Sequence, residues 1–266
     1  NGNGSQSLKV KCNTFVGTTD ALTVDRATTG LVAADNTQFT TTDLNTVVPS
    51  VPGFSFALAR SGNTFTTRPD AVPNPALSTA GCPVAPSNGF FTQAAYRGAF
   101  APAPERMWTE SWTNWDPQNT AYGTTNVNVS GSITTNTTWT SNNIYLLQGI
   151  VYVNSGVTLT IEPGTIIHGD DLTANSSLIV ARGGKLIADG TPCKPIVFTS
   201  DKPIGQRAKG DWGGVILLGN AKHNLGTNNL IEGTSAAEPR NYHGGTDDND
   251  NSGILRYVRI EFGGYV

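Results

Sequence analysis

The chain has 266 residues and a formal net charge of −3, and 14% of its residues are charged. It has no run of Lys and Arg that would form a nucleic-acid-binding surface. It also has no apolar stretch near the ~20 residues that a membrane-spanning helix needs. A hydrophobic content of 37%, with 30 Gly and 15 Pro, is typical of many short strands joined by turns, and a chain of this length can bury a substantial core.

The first predicted strand follows a polar, glycine-rich start. Leu8 and Val10 alternate with Lys9 and Lys11, and Phe15 ends the same segment. An alternation with a period of two is typical of a half-buried strand.

Residues 68–115 combine prolines with aromatic residues. Five prolines between residues 69 and 86 prevent regular strand pairing, so we expect an extended segment that wraps over a surface. We interpret the aromatic cluster that follows as a hydrophobic segment capping an open core, with a sugar-stacking platform as the alternative. The cluster consists of Phe90, Phe91, Tyr96, Phe100, Trp108, Trp112 and Trp115.

Residues 143–200 contain two copies of a unit made of a short strand, a glycine turn and a second short strand. Four positions of the first copy recur in the second at one fixed offset: Val153 as Val180, Gly156 as Gly183, Leu159 as Leu186, and Glu162 as Asp189. A constant offset of this kind predicts a β-solenoid, in which each unit is one coil and stacked coils share a continuous core. The alternative is a β-sandwich with two similar hairpins.

Two more strands are predicted towards the end of the chain. Residues 209–218 end in four consecutive aliphatic side chains, which indicates a fully buried strand. We expect residues 254–262 to form one strand, in which Val258, Ile260 and Phe262 lie on one side and Tyr257, Arg259 and Glu261 on the other.

The turn before that last strand is acidic. Asp247, Asp248 and Asp250, together with two asparagines, provide oxygen atoms of the kind that Ca²⁺ prefers, although the spacing is not that of an EF-hand. The alternative is a solvated acidic turn. Asp170 and Asp171 form a smaller acidic turn, where Ca²⁺ binding is less expected.

The sequence offers few candidates for catalysis. Glu162 and Asp189 are the only carboxylates at matching positions of the repeat, and both fall at turns, where polar residues are expected in any case. The three histidines show no metal-ligand spacing, and we expect Cys193 to be a small buried side chain. The pattern therefore favours a non-catalytic protein.

Residues 133–170, 210–221 and 243–264 resemble the opening coils of a large family of secreted bacterial right-handed parallel β-helix proteins. Many of those proteins carry C-terminal secretion-sorting domains. The resemblance covers residues 127–266 and implies an all-β, right-handed parallel β-helix. Residues 1–123 look like the last coil and tail of the same family, which implies two parts, residues 1–123 and 124–266, in inverted order. A junction between tandem units, a circular permutation and a model built from parts of a larger protein would each explain that order.

These observations lead to one functional hypothesis with two alternatives. We expect an extracellular or cell-surface structural protein or adhesin of a bacterium, without a cofactor apart from the Ca²⁺ considered above. The inverted order predicts head-to-tail self-association into a fibre, through an edge formed by Leu8, Val10, Phe15, Val258, Ile260 and Phe262. The alternatives are a carbohydrate-binding module and a polysaccharide lyase or hydrolase.

Overall fold

The computed structural model describes residues 104–173 and 175–264, positions 89, 96 and 99–101, and four short strands between residues 14 and 65. The chain divides into two compact units, one formed by residues 1–60 and 66–110 and the other by residues 61–65 and 111–266. The strands before residue 66 are described by their backbone only. The predicted proline-rich wrap falls largely outside the described residues, as do Leu8, Val10, Phe90 and Phe91.

Short strands dominate the described residues, and 3-10 turns occur at Pro117–Asn119 and Pro239–Asn241. The strands are β1 (Thr14–Val16), β2 (Thr46–Val48), β3 (Arg60–Ser61), β4 (Thr64–Phe65), β5 (Val127–Ile133), β6 (Thr137–Trp139), β7 (Ile144–Val153), β8 (Thr158–Ile161), β9 (Ile166–Gly169), β10 (Ser177–Val180), β11 (Lys185–Asp189), β12 (Ile196–Ser200), β13 (Gly214–Leu217), β14 (Asn229–Leu230), β15 (Tyr242–His243), β16 (Gly253–Arg256) and β17 (Val258–Ile260). No described helix is long and apolar enough to cross a membrane.

The second unit is a parallel β-helix, as predicted. Its strands form three parallel rows, and the chain visits them in the order A, B, C in each coil. Row A contains β5, β7, β9, β12 and β17; row B contains β5, β7, β10 and β13; row C contains β6, β8, β11 and β16. The long strands β5 and β7 each contribute to both row A and row B. The described residues thus complete four coils, and β17 begins a fifth.

The sequence repeat corresponds to neighbouring rungs of the helix. Val153 pairs with Val180 in row B, and Leu159 pairs with Leu186 in row C. All four side chains are fully buried in one continuous core. Each such side chain contributes about 1.5–3 kcal/mol through burial, and this shared core is what a single coil could not form.

A tryptophan fills the core at the corner between rows A and B. Trp212 is buried and stacks on Phe198, with a distance of 6.3 Å between the ring centroids. Its indole lies directly against Gly169, where a Cβ atom would come within 2.4 Å of the ring. A glycine is therefore required at position 169, because a side chain there would displace the tryptophan.

Two segments cover the outward sides of rows A and B. Residues 218–252, which we call the insertion, separate row B from row C in the fourth coil and contain the antiparallel pair β14–β15. Leu218 and Ile231 of the insertion pack on the outward side chains Tyr152 and Ile179 of row B. Residues 111–125, which we call the strap, bond to the outward side of row A, where Tyr122 donates a hydrogen bond to Glu261.

The structure corrects three sequence expectations. Residues 254–262 are not one strand, because the chain turns at Tyr257, whose φ is +48°, and divides into β16 and β17. Cys193 is exposed rather than buried, because it lies in the turn that leads from row C to row A. The strand expected within residues 209–218 forms at Gly214–Leu217 and is not fully buried, because it lies in the last rung, where Val215 and Ile216 are half-buried and Leu217 is exposed.

Candidate functional site

The last rung of the helix exposes side chains that face its core. Leu217, Leu255 and Ile260 are 39%, 46% and 48% exposed. They pair with Val180, Ala188 and Phe198 of the preceding coil, which are fully buried in the core. A residue that is inward-facing but exposed marks the place where the next coil would stack. We call this surface, formed by β13, β16 and β17, the open end.

The open end also presents unpaired backbone. β13, β16 and β17 are each the terminal strand of their row among the described residues. A terminal strand offers a free row of N–H and C=O groups to another strand. The open end therefore combines apolar side chains with hydrogen-bonding edges.

The opposite end of the helix is different. There Trp139 stacks on Tyr145, with ring centroids 4.9 Å apart, and both residues are buried. Tyr145 also accepts a hydrogen bond from the backbone N–H of Thr140 through its hydroxyl group. The two ends thus present unlike surfaces.

The predicted assembly edge lies partly on the open end. Val258 and Ile260 belong to β17, and Phe262 follows it in the left-handed region, with φ of +59°. Phe15 belongs to β1 in the other unit. The self-association of these residues stays a prediction.

The predicted aromatic cluster falls in both units. Phe100 stacks on Trp108 in the first unit, and Trp108 is 61% exposed. Trp112, at the start of the strap, makes an edge-on contact with Tyr257, and Trp115 is half-buried. The capping role of the cluster stays a prediction.

The acidic turn of the insertion forms local bonds. Asp250 accepts a hydrogen bond from the backbone of Asn220, and Asp248 pairs with Lys222 at 2.7 Å. Asp247 accepts a bond from the backbone of Asn249 within the turn. These contacts hold the insertion in shape, and Ca²⁺ binding by Asp247, Asp248 and Asp250 stays a prediction.

The structure brings together a different group of three carboxylates. Oxygen atoms of Asp170, Asp171 and Asp201 lie within 4.8 Å of one another, at the corner where row A ends in two neighbouring coils. Burial first, and then the neighbouring carboxylates, raise the pKa of Asp201 to about 6. The sequence repeat does not point to this group. Asp170 and Asp201 are further apart along the chain than the repeated residues Val153 and Val180, so the repeat does not align them.

Several contacts already occupy these three carboxylates. Asp170 accepts hydrogen bonds from the backbone of Leu172 and from the hydroxyl of Thr173. Asp201 accepts one from the backbone of Asp171. Lys202 places its ammonium group 3.8 Å from Asp171 and 2.7 Å from Asp211, beside a cavity of about 320 Å³. The ammonium group of Lys202 therefore already places one positive charge beside the carboxylates that a bound cation would need.

The carboxylate pair identified from the repeat is also engaged. Glu162 accepts a hydrogen bond from the backbone N–H of Ser141. Asp189 pairs with Arg256 at 3.2 Å. Glu162 therefore links the turns of two neighbouring coils, and Asp189 links the ends of β11 and β16.

A polar layer under the strap contains a buried histidine. His168 lies on the outward side of row A, with Nδ1 3.1 Å from the hydroxyl of Thr125. Its Nε2 atom is buried and has no hydrogen-bond partner among the described residues. Burial, and then the nearby positive charge of Arg207, lower the pKa of His168 to about 4. The imidazole is therefore neutral in the folded protein near pH 7.

Acid is expected to destabilise the β-helix through His168. An unfolded histidine titrates near pH 6.5, so between about pH 6.5 and 4 the unfolded chain binds more protons than the folded one. The contribution of His168 to stability is complete above pH 6.5 and is lost as the pH falls towards 4. Urea unfolding at pH 7.5 and 4.5 should show a larger loss for the wild type than for His168→Gln.

The comparison with His168→Gln isolates this effect. Asp201 acts in the opposite direction, because a carboxyl with a raised pKa stabilises the fold below about pH 6 and loses that contribution as the pH rises. Asp201 is present in both proteins, so its contribution cancels. An equal loss of stability in both proteins would contradict the role given to His168.

The family profile of the pectate-lyase-like β-helix domain matches residues 131–266, just over half of the chain. The chain belongs to this family. The match begins within β5 and includes every later strand of rows A, B and C. No curated protein and no solved structure matches the chain. Membership in the pectate-lyase-like family supports the parallel β-helix fold, but a fold hosts many functions, so the role has to be argued from the surfaces of this chain.

Proposed function

We propose that this pectate-lyase-like β-helix is a non-catalytic structural protein whose copies join head to tail into a fibre. The observation that carries the proposal is that Leu217, Leu255 and Ile260 are exposed. These side chains stand at inward positions of the last rung, where the paired residues of the preceding coil are buried. Covering these side chains removes apolar surface from water, and stacking a strand on each row pairs the free backbone edges.

The difference between the two ends favours a fibre over a closed dimer. At one end the inward-facing Trp139 is buried and stacks on Tyr145, and at the other end the inward side chains of the last rung are exposed. A contact between unlike surfaces is heterologous, and repetition of such a contact without closure produces a filament.

The engagement of the carboxylates supports a non-catalytic role. Inverting hydrolysis of a polysaccharide needs two carboxylates about 6.5–9.5 Å apart across a groove. Glu162 and Asp189, the pair at matching repeat positions, bond to Ser141 and Arg256 instead. In the second unit, the strap and the insertion also cover the outward sides of rows A and B.

The outward side of row C is a candidate contact surface for an extracellular or cell-surface fibre. It carries short polar side chains such as Thr138 and Thr160, with Lys185 and Arg256 on later coils. Thr138, Lys185 and Arg256 are exposed. An adhesin that recognises carbohydrate would use such a face, through hydroxyl and cationic groups.

Charged substitutions at the open end are expected to abolish assembly. Leu255→Asp or Ile260→Asp places a carboxylate where a second copy would bury it, and burying an unpaired charge is strongly unfavourable. Sedimentation velocity over a hundredfold range of concentration should show growing species for the wild type and a monomer for both variants.

Ile254→Asp is the matched control. Ile254 precedes Leu255 in β16 and is 39% exposed, but its side chain lies on the outward side of row C. This variant should assemble like the wild type. A monomeric wild type, or equal assembly by all the variants, would reject the proposed function.

The second candidate is an enzyme or binding module for an acidic polysaccharide, which the pectate-lyase-like family supports. The specific observation in its favour is the convergence of Asp170, Asp171 and Asp201 beside Lys202. Assays of polyuronate cleavage and binding, with and without Ca²⁺, distinguish the candidates: activity lost in Asp201→Asn would favour the enzyme, and binding without cleavage would favour the module.

A further inference from the structure

A cleft lies at the corner where the chain passes from row B to row C. One side of the cleft is formed by the turns of two neighbouring coils, and the other side by the insertion. Its volume of about 390 Å³ falls within the range of roughly 300–1,000 Å³ that is usual for small-molecule sites. Its lining includes Asn154, Ser155, Arg182, Pro239, Arg240 and Tyr242.

The cleft is positively charged. Two arginines line it, and none of the carboxylates that the structure describes does. Glu238 neutralises one of the arginines, because its two carboxylate oxygens accept hydrogen bonds from Arg240 at 2.8 and 2.7 Å. Arg182 bonds to neutral oxygens and pairs with no carboxylate among the described residues. The cleft therefore carries one positive charge that no nearby carboxylate compensates.

The guanidinium group of Arg182 is held in a fixed position by the insertion. It donates hydrogen bonds to the carbonyl oxygens of Thr227 and Gly244, at 3.2 and 2.8 Å, and to Oδ1 of Asn228 at 2.9 Å. These bonds use three of the five N–H groups of the guanidinium group and leave two for a ligand. Because the side chain is already ordered, binding to it costs little additional conformational entropy.

The other groups of the cleft suit a compact ring. Asn154 accepts a hydrogen bond from Arg240 through Oδ1 at 3.2 Å, so its amide N–H groups remain available as donors. Ser155 is exposed and adds a hydroxyl group. Tyr242 donates its hydroxyl hydrogen to the carbonyl of Ala236, which fixes the aromatic ring beside the cleft. An apolar surface with a few placed polar groups is typical of a ligand site.

We propose that this cleft binds a compact organic anion, namely a small ring that bears one carboxylate or sulfate group. The guanidinium group of Arg182 pairs with the oxyanion, since its planar fork matches two oxygens of such a group. Asn154 and Ser155 bond to further polar groups of the ring, and the ring packs on Tyr242. Binding at this cleft does not require assembly, because none of these residues lies on the open end.

Saturation-transfer NMR of the full chain with three matched sugars tests this inference. Glucuronate and glucose 6-sulfate carry the two kinds of oxyanion, and glucose is the neutral control. The anions should bind about tenfold more tightly than glucose, the usual effect of a hydrogen bond to a charged group. Binding of only one anion would support the inference and identify the preferred oxyanion. Equal binding of glucose, or no binding of either anion, would overturn it.

A pair of charge-removing variants locates the binding site. Arg182→Gln should weaken the binding of the anions about tenfold and leave that of glucose unchanged. Lys194→Gln is the matched control, since it removes one positive charge from an exposed side chain at a different corner, between row C and row A. It should bind like the wild type. An equal loss in both variants would indicate attraction by net charge alone and would overturn the inference.

A third variant keeps the test decisive if Arg182→Gln loosens the insertion. Ser155→Leu fills the cleft from an exposed turn and removes none of the bonds of Arg182. It should melt within a few degrees of the wild type and lose the binding of the anions. Undiminished binding by Ser155→Leu would place the anion elsewhere on the protein and would overturn the inference, whatever the state of assembly.

Discussion

Leu159→Asp is expected to abolish cooperative folding of the β-helix. Leu159 is fully buried in row C, between Thr137 of one neighbouring rung and Leu186 of the other. Truncation of a buried leucine alone costs about 2–5 kcal/mol, and an unpaired carboxylate in the core adds several more. The total approaches the ~5–15 kcal/mol that stabilises a typical protein. Circular dichroism during urea or thermal unfolding should show no native transition.

Thr160→Asp provides the matched control, since Thr160 is the next residue of β8 and its side chain lies on the outward side of row C. It should unfold close to the wild type, because its carboxylate reaches water. If Leu159→Asp melted like the wild type, the inward-facing set of residues would be wrong.

Trp212→Ala is expected to destabilise the second unit by about 3–5 kcal/mol, the usual cost of removing a buried aromatic side chain. The indole fills the space above Gly169, stacks on Phe198 and donates a hydrogen bond from Nε1 to the carbonyl of Glu261 at 2.8 Å. The variant should unfold at a markedly lower urea concentration, measured by circular dichroism.

Trp212→Phe separates the packing of the ring from its hydrogen bond. It retains an aromatic ring in the core but loses the bond to Glu261, so it should fall between the wild type and Trp212→Ala. A Trp212→Ala protein within about 0.5 kcal/mol of the wild type would behave like a surface substitution and would contradict the position given to Trp212 in the core.

The β-helix could be predicted from the sequence because rows B and C repeat at the same offset between two of its coils. Val153 and Leu159 recur, together with their glycine turn, as Val180 and Leu186, and the structure places each beside its counterpart. Because the offset is constant, the pairing of residues between these two coils in rows B and C could be predicted from the sequence. The inward side of β17 could also be predicted, since Val258 and Ile260 alternate with charged residues.

Features that depend on unequal coils could not be predicted in this way. Asp170 and Asp201 meet because neighbouring rungs of row A are separated there by a longer stretch of chain than the rungs of rows B and C. The offset of the visible repeat therefore does not align them. The turn at Tyr257 was missed for a related reason. Val258, Ile260 and Phe262 alternate with polar residues, and this pattern does not show that the chain changes row after Arg256.

The exposure of the last rung is a property of stacking rather than of composition. Ile260 and Phe198 occupy equivalent inward positions, yet Phe198 is fully buried and Ile260 is 48% exposed. Only the presence of a following rung separates them. For this reason the sequence could indicate which side chains face inward, but the structure was needed to show which of them are exposed.

Electron microscopy of the purified protein tests the central claim most directly. Negatively stained wild-type protein is expected to form unbranched fibres of constant width, and Ile260→Asp prepared in the same way should give only separate particles. Separate particles in both samples, at concentrations well above those used for sedimentation, would contradict the account.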